Sequence, residues 1–273
     1  DSGMGTWWPR LFPTDAEAFD GLVRFQAHYR NAIRTRQLLR VADHPVLSHG
    51  ASFFMSMNVG VDGSRLLPPF MPVLRRQDSV FARLLNVCFG PSFIGYPPWA
   101  VGHYAPSRKA WERKSKVLAV GPLSTAGILE FIVEARGDEP YGDQPAENLV
   151  SLGRYLVAVA AGPVHHFGAR VRGICMQALE TRTRVLQQVI LEKVDAPRFW
   201  RDDAKQVTAN HRALMRGQDT CLPHDLPGSP LDRLAMLQDL TALFGRLLME
   251  WPRIWEQAEQ EALLDELLMG HSQ

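Results

Sequence analysis

Apolar residues recur at helical spacing through most of the second half of the chain. Segments 123–136, 146–161, 167–194, 198–216 and 230–269 place apolar side chains three and four positions apart. That spacing gives a helix one apolar face. Pro122, Pro140, Pro145, Pro163, Pro197, Pro223, Pro227 and Pro230 punctuate them. Proline lacks a backbone N–H, so it marks helix starts and stops. The pattern predicts an all-α region. Pro252 falls inside the last segment, which predicts a kink or a split there.

The first hundred residues read differently. Thr14 with Glu17 three positions on has the form of a capping box. Phe19, Leu22, Val23, Phe25 and Ala27 then predict an amphipathic helix to about Arg30. A second helical piece, or a strand ending in Leu38–Val41, follows, and His44–Pro45 breaks it. Ala51–Val61 alternates in part and reads as a strand. Val61-Asp62-Gly63-Ser64 is a turn. Pro68, Pro69 and Pro72 make Leu66–Val73 a stiff, extended loop. Ser79–Phe89 is a helix with Val80, Phe81, Leu84, Leu85, Val87 and Cys88 on its apolar face. Gly90–Pro91 stops it. Phe93–Tyr96 is a short strand, and Pro97-Pro98-Trp99 a rigid turn. The fold class expected is α+β but mostly α, with a mixed segment over 1–105 and a helical domain over 106–273.

Composition narrows the function. With 273 residues, 46% of them hydrophobic, the chain can bury a core without disulfides or structural metal. A net charge of +1 gives no electrostatic case for nucleic acid or an anionic membrane. No run of eighteen apolar residues is present, so no membrane span is expected, and no signal peptide is seen. Cys88, Cys175 and Cys221 lie far apart, are odd in number and form no CxxC. That pattern fits a reducing cytoplasm. The chain opens on Asp1 rather than Met, which reads as a processed product or a piece of a longer protein.

The candidate chemistry concentrates between Met57 and His103. Asp78 precedes the apolar helix. It reads as an N-cap that satisfies orphan amides, and also as a general base held at the mouth of a loop. Arg75 and Arg76 flank it, as surface arginines or as contacts to a donor phosphate. Asp62 reads as a turn residue or as a carboxylate for sugar hydroxyls. Trp99 and Trp7-Trp8 read as core packing or as platforms for a sugar ring. His103 reads as structural, as a metal ligand, or as a donor to a leaving diphosphate. His165 and His166 are adjacent, so on a helix they do not face one another and do not form a two-ligand site. Asp202-Asp203 reads as a helix-surface pair. No P-loop and no GxGxxG occurs.

Those residues carry a resemblance. Gly60, Asp62, Arg65, Leu66-Leu67-Pro68-Pro69-Phe70, Pro72-Val73, Arg75, Asp78, Val80-Phe81, Gly95, Pro98-Trp99 and His103 follow one pattern. The pattern resembles the C-terminal half of the catalytic domain in a group of uncharacterised bacterial proteins related to family-two glycosyltransferases. The opening Asp1-Ser2-Gly3-Met4-Gly5 resembles a loop in the same group, so the likeness spans about residues 1–105. It departs from the pattern at Gln77, where the wider superfamily often has Glu, and at Ser79 and Ala82, which replace glycines. The resemblance implies half of an A-type glycosyltransferase α/β domain ahead of the helical domain. It implies a nucleotide-sugar donor and a hydroxyl acceptor. Asp78 would be the base, Asp62 and Trp99 acceptor contacts, and Arg75 or Arg76 a donor contact. His103 would help hold a divalent cation, Mn or Mg, on the donor diphosphate. The donor-binding half, with its D-x-D motif, would be missing from this chain or reside in a separate one. A reading of another class is a non-catalytic α-rich interaction or scaffold module. Leu247, Leu248, Trp251, Trp255, Leu263, Leu264 and Leu267 would then form its apolar surface.

Overall fold

The structure is a computed structural model. It describes residues 16–35, 44–49, 59–74, 77–89, 93–99, 123–136, 142–217 and 219–270. In chain order the elements are α1 (Ala16–Val23), α2 (Gln26–Thr35), β1 (Val46–His49), α3 (Gln77–Phe89), β2 (Phe93–Tyr96), α4 (Thr125–Glu134), α5 (Pro145–Ala160), α6 (Val164–Glu192), α7 (Arg198–Arg216) and α8 (Pro230–Gly270). The protein is therefore mostly α. Among the described residues, β1 and β2 pair as the two strands of one small sheet.

The chain forms two compact units, each drawn from three stretches. Unit one takes Asp1–Val46, Pro97–Leu123 and Arg172–His224, and unit two takes Leu47–Tyr96, Ser124–Val171 and Asp225–Gln273. Helix α6 contributes to both, with the division after Val171.

In unit one, α1 and α2 replace the single helix expected to Arg30. The break falls at Arg24–Phe25, close to Gly21, which lowers local helix propensity. Phe19, Leu22, Val23, Tyr29 and Ala32 are buried with Leu186 of α6 and with Trp200, Ala204 and Val207 of α7. Trp200 is the largest of these side chains and is fully buried. Phe19 meets its ring edge-on, with centroids 5.0 Å apart. The Lys193 ammonium lies 4.6 Å from the centre of the Phe19 ring, where the ring quadrupole attracts a cation.

In unit two, α3 packs against α4 and α5, and α5 packs along α8. The α5–α8 contact is close because Gly153 and Gly245 face each other. A Cβ on Gly153 would stand 2.5 Å from the Gly245 carbonyl oxygen, and one on Gly245 would stand 2.7 Å from that of Gly153. The helix ends are closed by side chains. The Ser124 hydroxyl accepts from the Gly127 amide at 3.2 Å. Asp225 accepts from both the amide and the hydroxyl of Thr125 at 2.8 Å. Ser229 and Asp232 bond reciprocally at the start of α8, with the Ser229 amide 3.0 Å from the Asp232 carboxylate. Gly162, at φ 90°, turns the chain from α5 into α6.

Of the kink or split expected at Pro252, the split does not occur, and α8 runs through it. One sequence expectation changes here. Val59–Val61, the end of the expected strand Ala51–Val61, is irregular and exposed, and the rest of that segment lies outside the described residues. So do the Thr14 capping position and Leu38–Val41. Among the described residues no helix is long and apolar enough to cross a membrane.

Candidate functional site

The stiff loop Leu66–Val73 is fixed onto unit two. Pro68, Pro69 and Met71 are buried. Phe70 stacks on Phe81 of α3, with centroids 4.0 Å apart and planes within 7°. The Trp251 indole of α8 donates to the Leu67 carbonyl at 2.6 Å. Three prolines supply stiffness, and these contacts choose which conformation is kept. Leu74, at the end of the loop, has φ of 68°. That left-handed geometry costs a non-glycine residue about 1 kcal/mol or more, and persists where surrounding structure over-determines it.

Helix α3 begins three residues later, at Gln77. The start is earlier than expected, so Asp78 lies inside the first turn and is not the cap. Its Oδ1 accepts from the Ser79 amide at 2.9 Å. The residue is half-buried. Below it the buried face of Val80, Phe81, Ala82, Leu84, Val87 and Cys88 anchors the helix. The result is a carboxylate at the positive end of a helix dipole, on a rigid element, beside a pinned loop.

Asp62 is held in an exposed turn, where Oδ1 accepts from the Ser64 amide at 2.9 Å. That amide, the Ser64 hydroxyl and then Arg65 keep its carboxyl below the ordinary carboxylate range. Among the described residues, Asp62 and Asp78 are each tied to their own local backbone. Trp99 is 65% exposed and falls in the stretch assigned to unit one. Arg75, Arg76 and His103 lie outside the described residues. His165 and His166 are both exposed, with ring centroids 4.2 Å apart at 60°. Among the described residues, no three His, Cys, Asp or Glu side chains are grouped to hold a metal ion.

Unit one holds polar groups that the sequence reading passed over. Asp202 is exposed and lies 3.7 Å from Arg198, as a surface pair should. Asp203 is not its surface companion. It is 3% exposed and accepts from the Tyr29 hydroxyl at 3.1 Å. Burial first, then the charge and hydrogen bond of Asp203, push the Tyr29 hydroxyl far above its ordinary pKa. Two turns on, His211 is 5% exposed, and its Nδ1 is buried without a partner. Burial, with the Arg182 charge second, lowers its pKa to about 4. The signal was present in α7: Trp200, Asp203, Ala204, Val207, Thr208 and His211 all fall on its buried face.

Cys175 and Cys221, far apart in sequence, are neighbours in unit one. Both are buried free thiols. The Cys221 thiol donates to the Arg172 carbonyl at 3.9 Å, one turn before Cys175 on α6. No family model matches the chain, and no curated protein or solved structure matches it.

Proposed function

We propose that the chain is a glycosyltransferase-like protein, seen as its acceptor-side half with a helical domain. It would transfer a sugar from a nucleotide-sugar donor to a hydroxyl, with an A-type donor-binding half supplied from outside this chain. The observation that carries the reading is Asp78. Its carboxylate is half-buried, fixed by the Ser79 amide, and set on an anchored helix behind a strained, proline-stiffened loop. A base needs that fixity, because it must meet the acceptor hydroxyl within hydrogen-bond reach. The Ser79 amide engages Oδ1, and the other carboxylate oxygen would take the incoming proton.

The other roles follow from residue chemistry. Asp62, kept ionised by its turn, suits hydroxyl donors on an acceptor sugar. Trp99 offers an exposed ring face for stacking. Arg75 and Arg76 are suited to a donor phosphate. His103 is the one ligand assigned here for Mn or Mg, which would neutralise the leaving diphosphate. The remaining ligands would belong to the donor-binding half.

The test compares the full-length protein, with its donor-binding half, and its Asp78→Asn variant. Transfer or donor hydrolysis is followed with nucleotide sugars and Mn or Mg. Loss of a general base predicts a fall of about 100-fold or more in turnover. Unchanged turnover would remove Asp78 from the mechanism.

One observation favours the scaffold reading. Leu231, Met236, Leu243 and Ile254 are exposed along α8. The surface differs from the one expected, because Leu248 is fully buried and Trp251 is committed to Leu67. The side chains of Leu263, Leu264 and Leu267 lie outside the described residues. A concentration-dependent dimer in sedimentation, with no nucleotide-sugar binding by the full-length protein, would support this reading over the enzyme.

A further inference from the structure

We propose that α8 is a self-association surface, on which a second copy of this chain docks antiparallel about a two-fold axis between Ala242 and Leu243; this rests on the exposed α8 face that favours the scaffold reading, and names its partner and register. One face of α8, with Leu237, Thr241, Phe244 and Leu248, is buried in unit two. The opposite face is a stripe of exposed residues. Successive helical residues turn by about 100°, and that phase divides the stripe into two edges. Met236, Leu243 and Ile254 are exposed along one edge, and the half-buried Leu240 and Leu247 widen it. Asp232, Asp239, Arg246 and Arg253, all exposed, run along the other.

The charges identify the occupant. On this edge the acids precede the midpoint between Ala242 and Leu243, and the bases follow it. Asp239 and Arg246 stand equally far from that midpoint, and so do Asp232 and Arg253. A two-fold axis through the midpoint, perpendicular to α8, runs the second helix antiparallel. Asp239 of one copy then faces Arg246 of the other, and Asp232 faces Arg253. The same rotation sets each edge against its own kind, charged on charged and apolar on apolar. The two Leu243 side chains meet beside the axis, and Met236 and Ile254 of one copy alternate with those of the other. A parallel pair in register sets Asp239 on Asp239 and Arg246 on Arg246, so like charges disfavour it.

Helical spacing within one copy does not serve the central charges as well. Asp239 has no basic residue three or four positions away. Glu250, the acid four positions beyond Arg246, pairs with Arg253 at 3.1 Å. A two-fold interface uses each contact twice, so any change at one position counts double. One helix face is a small interface by the standard of stable complexes. Association therefore belongs on the order of 10–100 µM, and salt should weaken it because exposed pairs are screened.

Charge reversal tests the register. The full chain is followed by sedimentation equilibrium from about 5 to 500 µM, a range that brackets the expected constant. Asp239→Arg sets two basic pairs across the axis, and Arg246→Glu sets two acidic ones. Each variant alone should self-associate about tenfold more weakly than wild type, or less still. An equimolar mixture of the two restores opposite charges at both central contacts, and should associate about as tightly as wild type. The double variant Asp239→Arg/Arg246→Glu should do the same by itself. Both positions are exposed, so each variant should keep the wild-type urea midpoint. A wild-type chain that stays monomeric through this range would overturn the proposal. So would a dimer that the single reversals leave unchanged, or one that neither the mixture nor the double variant restores. Those results leave the scaffold reading standing with a different partner, whereas nucleotide-sugar binding by the full-length protein counts against that reading and not against this pairing.

Discussion

The two units keep their interiors in different ways. Unit two sets its main helix crossing by steric fit, with the backbones of α5 and α8 close together at Gly153 and Gly245. Its polar groups bond to nearby backbone or close helix ends, as Ser124, Asp225 and the Ser229–Asp232 pair do. Asn148, buried beside α3, donates to the carbonyls of Cys88 and Gly142. Unit one instead places ionisable groups inside: Tyr29 on Asp203, His211 near Arg182, and the two thiols. A close-packed interior responds to volume. A polar interior responds to protons and oxidants as well, because a buried group that loses its partner or gains a charge has little water to turn to. The two units should therefore fail under different perturbations.

The largest expected effect breaks the steric side. Valine at position 153 would drive its Cβ into the Gly245 carbonyl and into Met249, whose backbone nitrogen lies 3.0 Å from that Cβ position. Backbone cannot rotate away as a side chain can, so α5 and α8 would have to part along their shared face. Gly153→Val should cost about 3 kcal/mol or more, read as a drop in the urea midpoint. A cost below about 1 kcal/mol would show that the helices separate cheaply and that the glycine contact does not set the crossing.

The helices of that contact were legible in the sequence to within a few residues, because 3.6-residue periodicity and flanking prolines act locally. Strand β2 and the apolar face of α3 were legible for the same reason. The contact between Gly153 and Gly245 was not, since nothing local says which two glycines will meet. The choice between a kink and a split at Pro252 stayed open in the sequence, because a proline removes one helical hydrogen bond and only packing decides whether the helix continues, as α8 does. Asp203 was misread because its neighbour Asp202 is a surface residue, and two adjacent acids look alike until helix phase is applied. The Cys175–Cys221 pair depends on tertiary folding alone. In the candidate site, the stiff loop could be read from its prolines, whereas Asp78 was expected just before the helix and lies in its first turn. The left-handed Leu74 and the Trp251 bond to Leu67 could not, because both arise from how the loop is held.

Protonation should sharpen the contrast from the other side. His211 has a pKa of about 4 in the folded state against an ordinary 6.5. The unfolded chain therefore binds more protons between those values, and folding keeps the neutral ring. The stability this contributes is fully present above pH 6.5 and is lost as pH falls toward 4. Its size is on the order of 2–3 kcal/mol. Other carboxylates titrate in the same range, so the useful quantity is a difference. Stability of His211→Gln, measured by denaturant unfolding, should fall less steeply than wild type between pH 6.5 and 4. Parallel curves would show that the buried ring is not a source of acid sensitivity.

The smallest effect concerns Tyr29 and Asp203, and its pH dependence carries more information than its size. Tyr29→Phe keeps the ring in the cluster with Phe199, whose centroid is 5.1 Å away, and removes only the hydroxyl that donates to Asp203. The carboxylate then stays buried with one donor fewer, at a cost of about 1–2 kcal/mol near neutral pH. The folded-state pKa of Tyr29 is raised above its ordinary value of 10. The stability tied to its proton is therefore complete below pH 10 and is lost as pH rises past it, because the unfolded tyrosine ionises first. Phenylalanine has no such proton. The stability gap between wild type and Tyr29→Phe should narrow steadily above pH 10, a trend that simple loss of packing does not produce. A gap that stays constant through that range would mean the hydroxyl is a spectator, and that Asp203 is held inside unit one by its other contacts.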